Sequence, residues 1–391
     1  MRGIAYMRVA VVGAGPAGLY FAHLWKKRHP QSNIELYEQN PADATWGFGV
    51  VFSDRALEFL RADDPDTADF IAPHMETWRN MTLDLNGEQV VLDGVGFSAI
   101  GRLKLLQLLQ QRVRSVGVEP RFGKLVESLE DLGEVDLIVG ADGLNSVVRS
   151  AFASDFKSSL TYADNKFAWY GTTKRFETLS QTFVETELGT FNAHHYRYAP
   201  NMSTFLVECD GKTWERYGFA SKTIEESKAV CETVFARTLD GHPLISNKSI
   251  WRNFPWLWND YWHFRNMVLV GDALHTAHFS IGSGTRLAME DVSALVKALE
   301  GENDVPRGLA RYEAERRPIV TAFVEAAKVS GEWYEHFPVH MRLGLLDFAY
   351  GYITRSGRID HARLRAMSPR FMERFDAAHR STAGKLSEAR G

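Results

Sequence analysis

Val9-Ala10-Val11-Val12-Gly13-Ala14-Gly15-Pro16-Ala17-Gly18 is the stretch that decides the fold. The short apolar run reads as a buried strand, and the glycines follow it at once, so the segment predicts strand, tight turn and helix. The helix is expected from Ala17 to about His29, and a second strand over Ile34–Glu38. Each glycine has its own task in such a turn. Gly13 permits the turn, Gly15 lets the backbone approach a pyrophosphate, and Gly18 lets helix and strand pack closely. Pro16 and Ala17 stand at the helix start, where free N–H groups and a partial positive charge favour an anion. Glu38 closes the second strand 20 residues after Gly18, with Gln39 beside it. An acid there accepts hydrogen bonds from a ribose 2′-OH, which FAD and NAD offer and NADP does not. Glycine clusters are common, so the motif alone is weak; the strand before it, the helix after it and the acid at this spacing complete a dinucleotide fingerprint. FAD and NAD remain equally compatible with it.

The bulk properties set outer bounds. The chain has 391 residues, 45% of them apolar, and a formal charge of −4. That suffices for a large core, expected as two closely packed domains. The near-neutral balance gives no reason to expect a nucleic-acid partner. Cys209 and Cys231 are the two cysteines. They stand in no metal-ligand spacing, so no metal site and a reducing, cytoplasmic setting are expected. Met1 to Met7 is too short and polar for a signal peptide, and no run of about 18 apolar residues predicts a membrane span.

Further along, Trp46–Ser53 is rich in Gly and Val and reads as a loop that passes close to something. Gly101–Val116 carries leucines at helical spacing, and Asp136–Gly140 is a buried strand ending in Ala141-Asp142-Gly143. From about Phe167 to Cys209, alternation of aromatic, Thr and polar residues predicts antiparallel strands of an inserted sheet. Val268–Gly271 returns to a buried strand, Gly284–Leu299 reads as a helix, and the chain from about Arg307 is helical and arginine-rich.

Two later segments sharpen the dinucleotide reading. One is Gly140-Ala141-Asp142-Gly143-Leu144-Asn145-Ser146-Val147-Val148-Arg149. An Asp-Gly at a strand end is by itself usually a turn. The other is Gly271-Asp272-Ala273-Leu274-His275 followed by Gly282-Ser283-Gly284-Thr285-Arg286, where Asp272 closes a strand and the glycines open a helix towards an anion. The three segments together, in this order, resemble the single-component FAD-dependent aromatic hydroxylases over about residues 8 to 330. The resemblance implies an α/β (α+β composite) fold of the p-hydroxybenzoate-hydroxylase kind. A Rossmann-like FAD-binding domain (1–75, 98–160 and 260–345) would be interrupted by an antiparallel-sheet substrate domain (76–97 and 161–259). A helical C-terminal tail (346–391) would follow.

By the same resemblance, the first glycines hold the ADP half of FAD, and Asp142 lies beside the pyrophosphate. Asp272 binds the ribityl or pyrophosphate region, Gly282, Gly284 and Thr285 face the flavin ring, and Arg102 contacts the FAD phosphates. Where many members have prolines, this chain has Ala277-His278-Phe279-Ser280-Ile281. That stretch looks like the branch acting on salicylyl-CoA and 2-aminobenzoyl-CoA, a cousin of the tryptophan-derivative hydroxylase of violacein formation. Asn165–Thr172, His194-His195-Tyr196-Arg197-Tyr198 and Trp251–Phe254 support it. The implied reaction hydroxylates an aromatic ring through a flavin C4a-hydroperoxide, using NADH or NADPH and O₂. Alternatives are a hydroxylase of a free tryptophan- or indole-type aromatic, and a reductase of the same fold that never activates oxygen.

A proton acceptor for a ring hydroxyl or amino group would raise electron density on the ring. His278 and His194 are the candidates; ordinary buried histidines explain both equally well. Tyr170, His194 and Tyr196 are candidate substrate contacts, with Trp169 a possible stacking partner, and His275 reads as structural. The phosphates of a CoA thioester need basic residues at the pocket mouth. The last forty residues hold eight Arg and one Lys against four acids, and Lys166, Lys174, Arg175 and Arg197 are further candidates. A solvated helical tail accounts for the same charges.

Overall fold

The computed structural model describes residues 6–53, 58–282 and 284–388, with backbone alone at 53 and over 381–388. Ser283 of the second glycine motif, and positions 1–5 of the N-terminal reading, lie outside the described residues.

The opening motif folds as its pattern dictates. Strand Arg8–Val12 runs into the glycine turn, helix Pro16–Arg28 follows, and strand Asn33–Tyr37 returns parallel to the first, Val9 opposite Ile34. Leu137–Gly140 pairs with the other edge of Arg8–Val12, and Met267–Leu269 pairs in parallel with Leu137–Gly140. Strand His263–Phe264 completes a five-stranded sheet at that edge. These central strands are buried on both faces, which explains why they read as apolar runs without alternation. Helix Pro16–Arg28 packs against Arg102–Ser115 and Gly284–Glu300 and buries Leu19, Phe21, Leu24 and Trp25.

The insertion forms an eight-stranded sheet. Antiparallel neighbours Ser158–Thr172, Met202–Cys209, Gly189–Ala199 and Leu179–Thr186 make its body, and Met81–Leu85 with Glu88–Leu92 extends it at one end. Its two faces bury different things. Ala168, Tyr170, Phe191, Ala193, Phe205 and Val207 face one way, into a core with Phe219, Cys231 and Phe235. Period-two alternation turns Phe167, Trp169, Gln181, His194, Tyr196 and Leu206 the other way, towards a cleft.

Two expectations need correction. Gly49–Ser53 is not a loop: it is a strand pairing with Phe97–Gly101 in a three-stranded sheet with Glu76–Trp78. Its β-branched and aromatic run Val50-Val51-Phe52 outweighs the glycines. The glycines answer the close approach instead: a Cβ on Gly47 would lie 2.7 Å from the Trp169 ring, and one on Gly49 2.6 Å from Tyr198. The second correction concerns the C-terminal region. Helices Leu345–Thr354, His361–Met367 and Pro369–Glu388 are not merely a solvated tail. Phe348, Tyr352, Leu364, Phe371 and Met372 share one core with Leu83, Leu92 and Phe183 of the sheet. Asp93 fastens the junction by accepting from Ser368 Oγ and Phe371 N, both at 2.9 Å.

Candidate active site

A cleft of about 1320 Å³ runs between the parallel sheet and the inserted sheet. It begins at the glycine turn. Gly13 sits at φ +98°, and a Cβ there would lie 2.4 Å from Ala141 O; a Cβ on Gly18 would lie 1.9 Å from Gly13 O. Both positions exclude any larger residue. Gly15 is different: a Cβ there meets nothing within 4 Å, because it faces open space. Helix Pro16–Arg28 starts here with no side-chain cap and no acid in its first turn, so its leading N–H groups are left for a ligand. Glu38 stands behind the turn, accepting from Ala14 N at 2.9 Å and from Asn40 N at 2.9 Å, and Gln39 beside it is exposed. Neither side chain forms part of the cleft wall.

The wall continues through Ala141, Gly143, Arg102 and Asp272. Asp142 itself turns away. Its Oδ2 accepts from Val147 N at 2.7 Å, at the start of helix Val147–Ala151 whose cap is Ser146, and so braces the Asp-Gly turn, while its Oδ1 is buried without a hydrogen-bond partner. Arg102 is a cation in waiting. Its Nε is buried without a partner, and among the described residues no carboxylate pairs with it. Burial pulls its pKa below the ordinary guanidinium value, and Asp272 is the charge that opposes the shift. Asp272 is exposed to the cleft at the end of its strand. His275, three residues on, donates from Nε2 to Asp291 at 2.9 Å, and Asp291 also accepts from Arg316 at 2.9 Å. That buried triad ties the Gly-Asp turn to helices Gly284–Glu300 and Val305–Glu335.

Farther along the cleft, Val51, Gly282, Gly284 and Thr285 converge. Gly282 has φ +60°, closing the turn Phe279–Ile281, and the space beside Gly284 is open. The start of the 17-residue helix Gly284–Glu300 therefore faces the cavity. Arg355 locks this turn in place from the C-terminal region, donating to Ser280 O at 2.7 Å and Ser330 Oγ at 2.9 Å. An uncapped helix start, an unpaired guanidinium and glycines over empty space are what a dinucleotide carrying a pyrophosphate requires. The residues present fit FAD.

Beyond lies a chamber of Phe167, Trp169, Phe254, Phe279, Tyr196, Gln181 and His194. Tyr196 donates to Gly49 O at 2.9 Å, which fixes its ring as a wall. Two candidates fall elsewhere. Tyr170 is wholly buried on the opposite face of its strand, because alternation sends Trp169 to the cleft and its neighbour to the other core. The His278 ring packs against Phe254, Trp256 and Phe279, with Nδ1 accepting from Ser280 N, while Ala277 and Phe279 form the cleft wall. It caps a turn rather than facing the chamber. Phe167, Gln181 and Phe254 line the cleft and Glu208 lies buried behind it; sequence reasoning proposed no role for any of them. Glu208 had a signal: an acid inside the apolar strand Phe205-Leu206-Val207-Glu208-Cys209 must be buried for a reason.

The FAD binding domain family model matches residues 134–327. The salicyloyl-CoA 5-hydroxylase of a Streptomyces species is 39% identical over 95% of this chain and 73% of that protein. The 3-hydroxy-4-methyl-anthranilyl-(aryl-carrier protein) 5-monooxygenase of Streptosporangium sibiricum is 35% identical over 90% of this chain and 95% of that one. The protodeoxyviolaceinate monooxygenase of Chromobacterium violaceum is 34% identical over 89% and 94%. Among solved structures, 2-methyl-3-hydroxypyridine-5-carboxylic acid oxygenase superposes with a TM-score of 0.71 at 18% identity, over 92% of this chain and 96% of that chain. Glycine turn, unpaired Arg102, helix start at Gly284 and aromatic chamber thus stand in a chain that belongs to the FAD-dependent aromatic monooxygenases.

Proposed function

We propose that this monooxygenase hydroxylates an aromatic ring presented as an aryl-CoA thioester, such as salicylyl-CoA or 2-aminobenzoyl-CoA. The observation that carries the reading is a group of arginines in the wall of the same cleft. Arg286, Arg355, Arg358 and Arg363 line it, together with Ile353. Arg358 lies 4.8 Å above the Phe323 ring and has no carboxylate partner among the described residues. Burial, then the like charges of Arg286 and Arg363, pull its pKa below the ordinary value. Guanidinium groups clustered in the same cleft as a ring-sized chamber, Arg358 among them without a carboxylate partner among the described residues, suit an acyl aromatic carried on a phosphate-bearing arm. Two of the relatives are named for acyl aromatics on CoA or on a carrier protein.

Bound FAD, reduced by NADH or NADPH, supplies the oxygen-transfer chemistry. The chain supplies the setting. Phe167, Trp169, Phe254 and Phe279 enclose a flat ring and exclude water. Gly15, Arg102 and the helix starting at Pro16 would hold the pyrophosphate, and the dipole of helix Gly284–Glu300 favours negative charge at its mouth. His194 offers an imidazole to the chamber. The test compares salicylyl-CoA and 2-aminobenzoyl-CoA with the corresponding free acids and with tryptophan-type aromatics. Substrate-stimulated NADH oxidation, oxygen uptake and a product heavier by one oxygen are expected with a thioester alone. Turnover confined to free aromatics overturns the thioester reading.

A further inference from the structure

Behind the chamber lies a buried carboxyl group that the binding of ring and flavin leaves unused. Glu208 is 1% exposed, on the same face of the inserted sheet as His194. Its Oε1 accepts from Asn165 Nδ2 at 2.9 Å. Its Oε2 has no hydrogen-bond partner, and His194 Nε2, equally without one, lies 3.5 Å away. The other ring nitrogen is engaged: His194 Nδ1 lies 2.8 Å from Gln181 Nε2, whose amide oxygen accepts from Tyr334 at 3.3 Å. Asn165 is itself held, its Nδ2 also donating to Tyr334 O at 2.8 Å and its N–H to Glu335 Oε1 at 3.1 Å.

These contacts constrain where the proton on a neutral imidazole sits. With N–H at Nδ1, Nε2 and Glu208 Oε2 would face each other as two buried lone-pair atoms with no donor between them, and the Gln181 amide would meet an N–H head on. Leaving a buried acceptor unpaired costs about 1–3 kcal/mol. With N–H at Nε2, both conflicts vanish: Nε2 donates to Glu208, and Nδ1 accepts from Gln181. We propose that Glu208 is a positioning residue that fixes His194 in the Nε2–H form, leaving Nδ1 as the hydrogen-bond acceptor of the chamber. A ring hydroxyl or amino group of the substrate then takes the place of the Gln181 amide at Nδ1. Nδ1 accepts the hydrogen bond of that O–H or N–H, which raises electron density on the ring heteroatom, while Nε2–H stays turned to Glu208.

The surroundings favour a neutral ring at rest. Burial, with Arg355 adding to it, pushes His194 down to about 3. Burial pushes Glu208 up, against pulls from His278 and Asn165. Glu335, Tyr334 and Tyr352 complete the titratable groups facing the pair from the helices.

The proposal is tested by nitrogen NMR of the flavin-loaded enzyme with ¹⁵N-histidine, the His194 signals being identified by their loss in His194→Gln. The wild type is expected to show the Nε2–H pattern at His194. In Glu208→Gln, Asn165 keeps its acceptor and the new amide points N–H at Nε2, so the pattern should invert to Nδ1–H, the Gln181 amide turning its oxygen to the ring, with FAD content unchanged. An Nδ1–H ring in the wild type, which would put the acidic proton on Glu208, overturns the assignment. So does a Glu208→Gln enzyme whose His194 signals stay as they were. Should that variant not fold, the wild-type pattern and Glu208→Asp, expected to retain Nε2–H, decide the matter. None of these readouts involves the thioester.

Discussion

Replacing Arg102 by Met separates a ligand-binding arginine from a structural one, because the two roles predict opposite signs. The guanidinium has no carboxylate partner among the described residues, and its Nε is buried unpaired. In the flavin-free protein it is therefore a desolvated charge offset by Asp272 alone. Met keeps the length and apolar contacts of the side chain and removes that charge. The flavin-free variant should melt no lower than the wild type, and by the cost of burying an unpaired cation it should melt higher. Binding moves the other way. A hydrogen bond to a charged partner contributes about 1.5–3 kcal/mol, so the FAD dissociation constant should rise about 10- to 150-fold. At a fixed excess of FAD the same energy disappears from holoenzyme stability. Fluorescence titration of deflavinated protein measures the first quantity, and thermal melts with and without FAD the second. An affinity within twofold of wild type refutes the phosphate role. A fall in flavin-free stability matching the loss of affinity shows that Arg102 is structural.

Other outcomes follow from the same geometry. Gly13→Ala forces a side chain into φ +98° and against Ala141 O, so it should cost about 3 kcal/mol or more, read as loss of soluble flavoprotein. Trp169→Ala should raise KM for the aromatic substrate at least tenfold, whereas Tyr170→Phe, on the other face of the same strand, should leave KM unchanged in steady-state assays. His278→Ala removes a buried ring stacked on Trp256 and Phe279 and should lower stability by about 2–4 kcal/mol in denaturant titrations while KM holds. For Asp291, burial raises the pKa, but His275 and Arg316 pull it below the ordinary carboxylate value. A depressed folded-state pKa gives stability that is present above about pH 4 and lost as pH falls through the folded value. Asp291→Asn should therefore be less stable at neutral pH by about 3–5 kcal/mol, the two unfolding curves converging in acid.

The parallel sheet was legible because its strands are buried on both faces and its glycines answer contacts only backbone can make. Gly13 and Gly18 are dictated by neighbours within a few residues or one strand away, so local pattern finds them. The chamber was harder. Trp169 and Tyr170 differ by one step of alternation, and nothing local says which face meets the cleft; the register with Met202–Cys209 decides it. His278 sits between two cleft-lining residues, yet a single turn directs its ring backwards. Arg358 and Arg363 reach the cleft only because the C-terminal helices share a core with a sheet some 270 positions earlier in the chain, a pairing no short-range signal carries.

The sheet order has a consequence for how the enzyme is made. Residues 8–37 provide the glycine turn, but its parallel sheet gains its next strand at 137–140 and a further one at 267–269. The helix start that completes the cofactor cleft comes at Gly284. A ribosome adding about 5–20 residues per second needs roughly ten to fifty seconds to travel from Gly18 to Gly284. During that interval the nascent chain carries the glycine turn without the helix start at Gly284. The inserted sheet, whose strands pair among themselves, is synthesised in between, and its core with the C-terminal helices is completed last. The cleft is thus closed late in synthesis, by a helix start that follows its first turn by most of the chain.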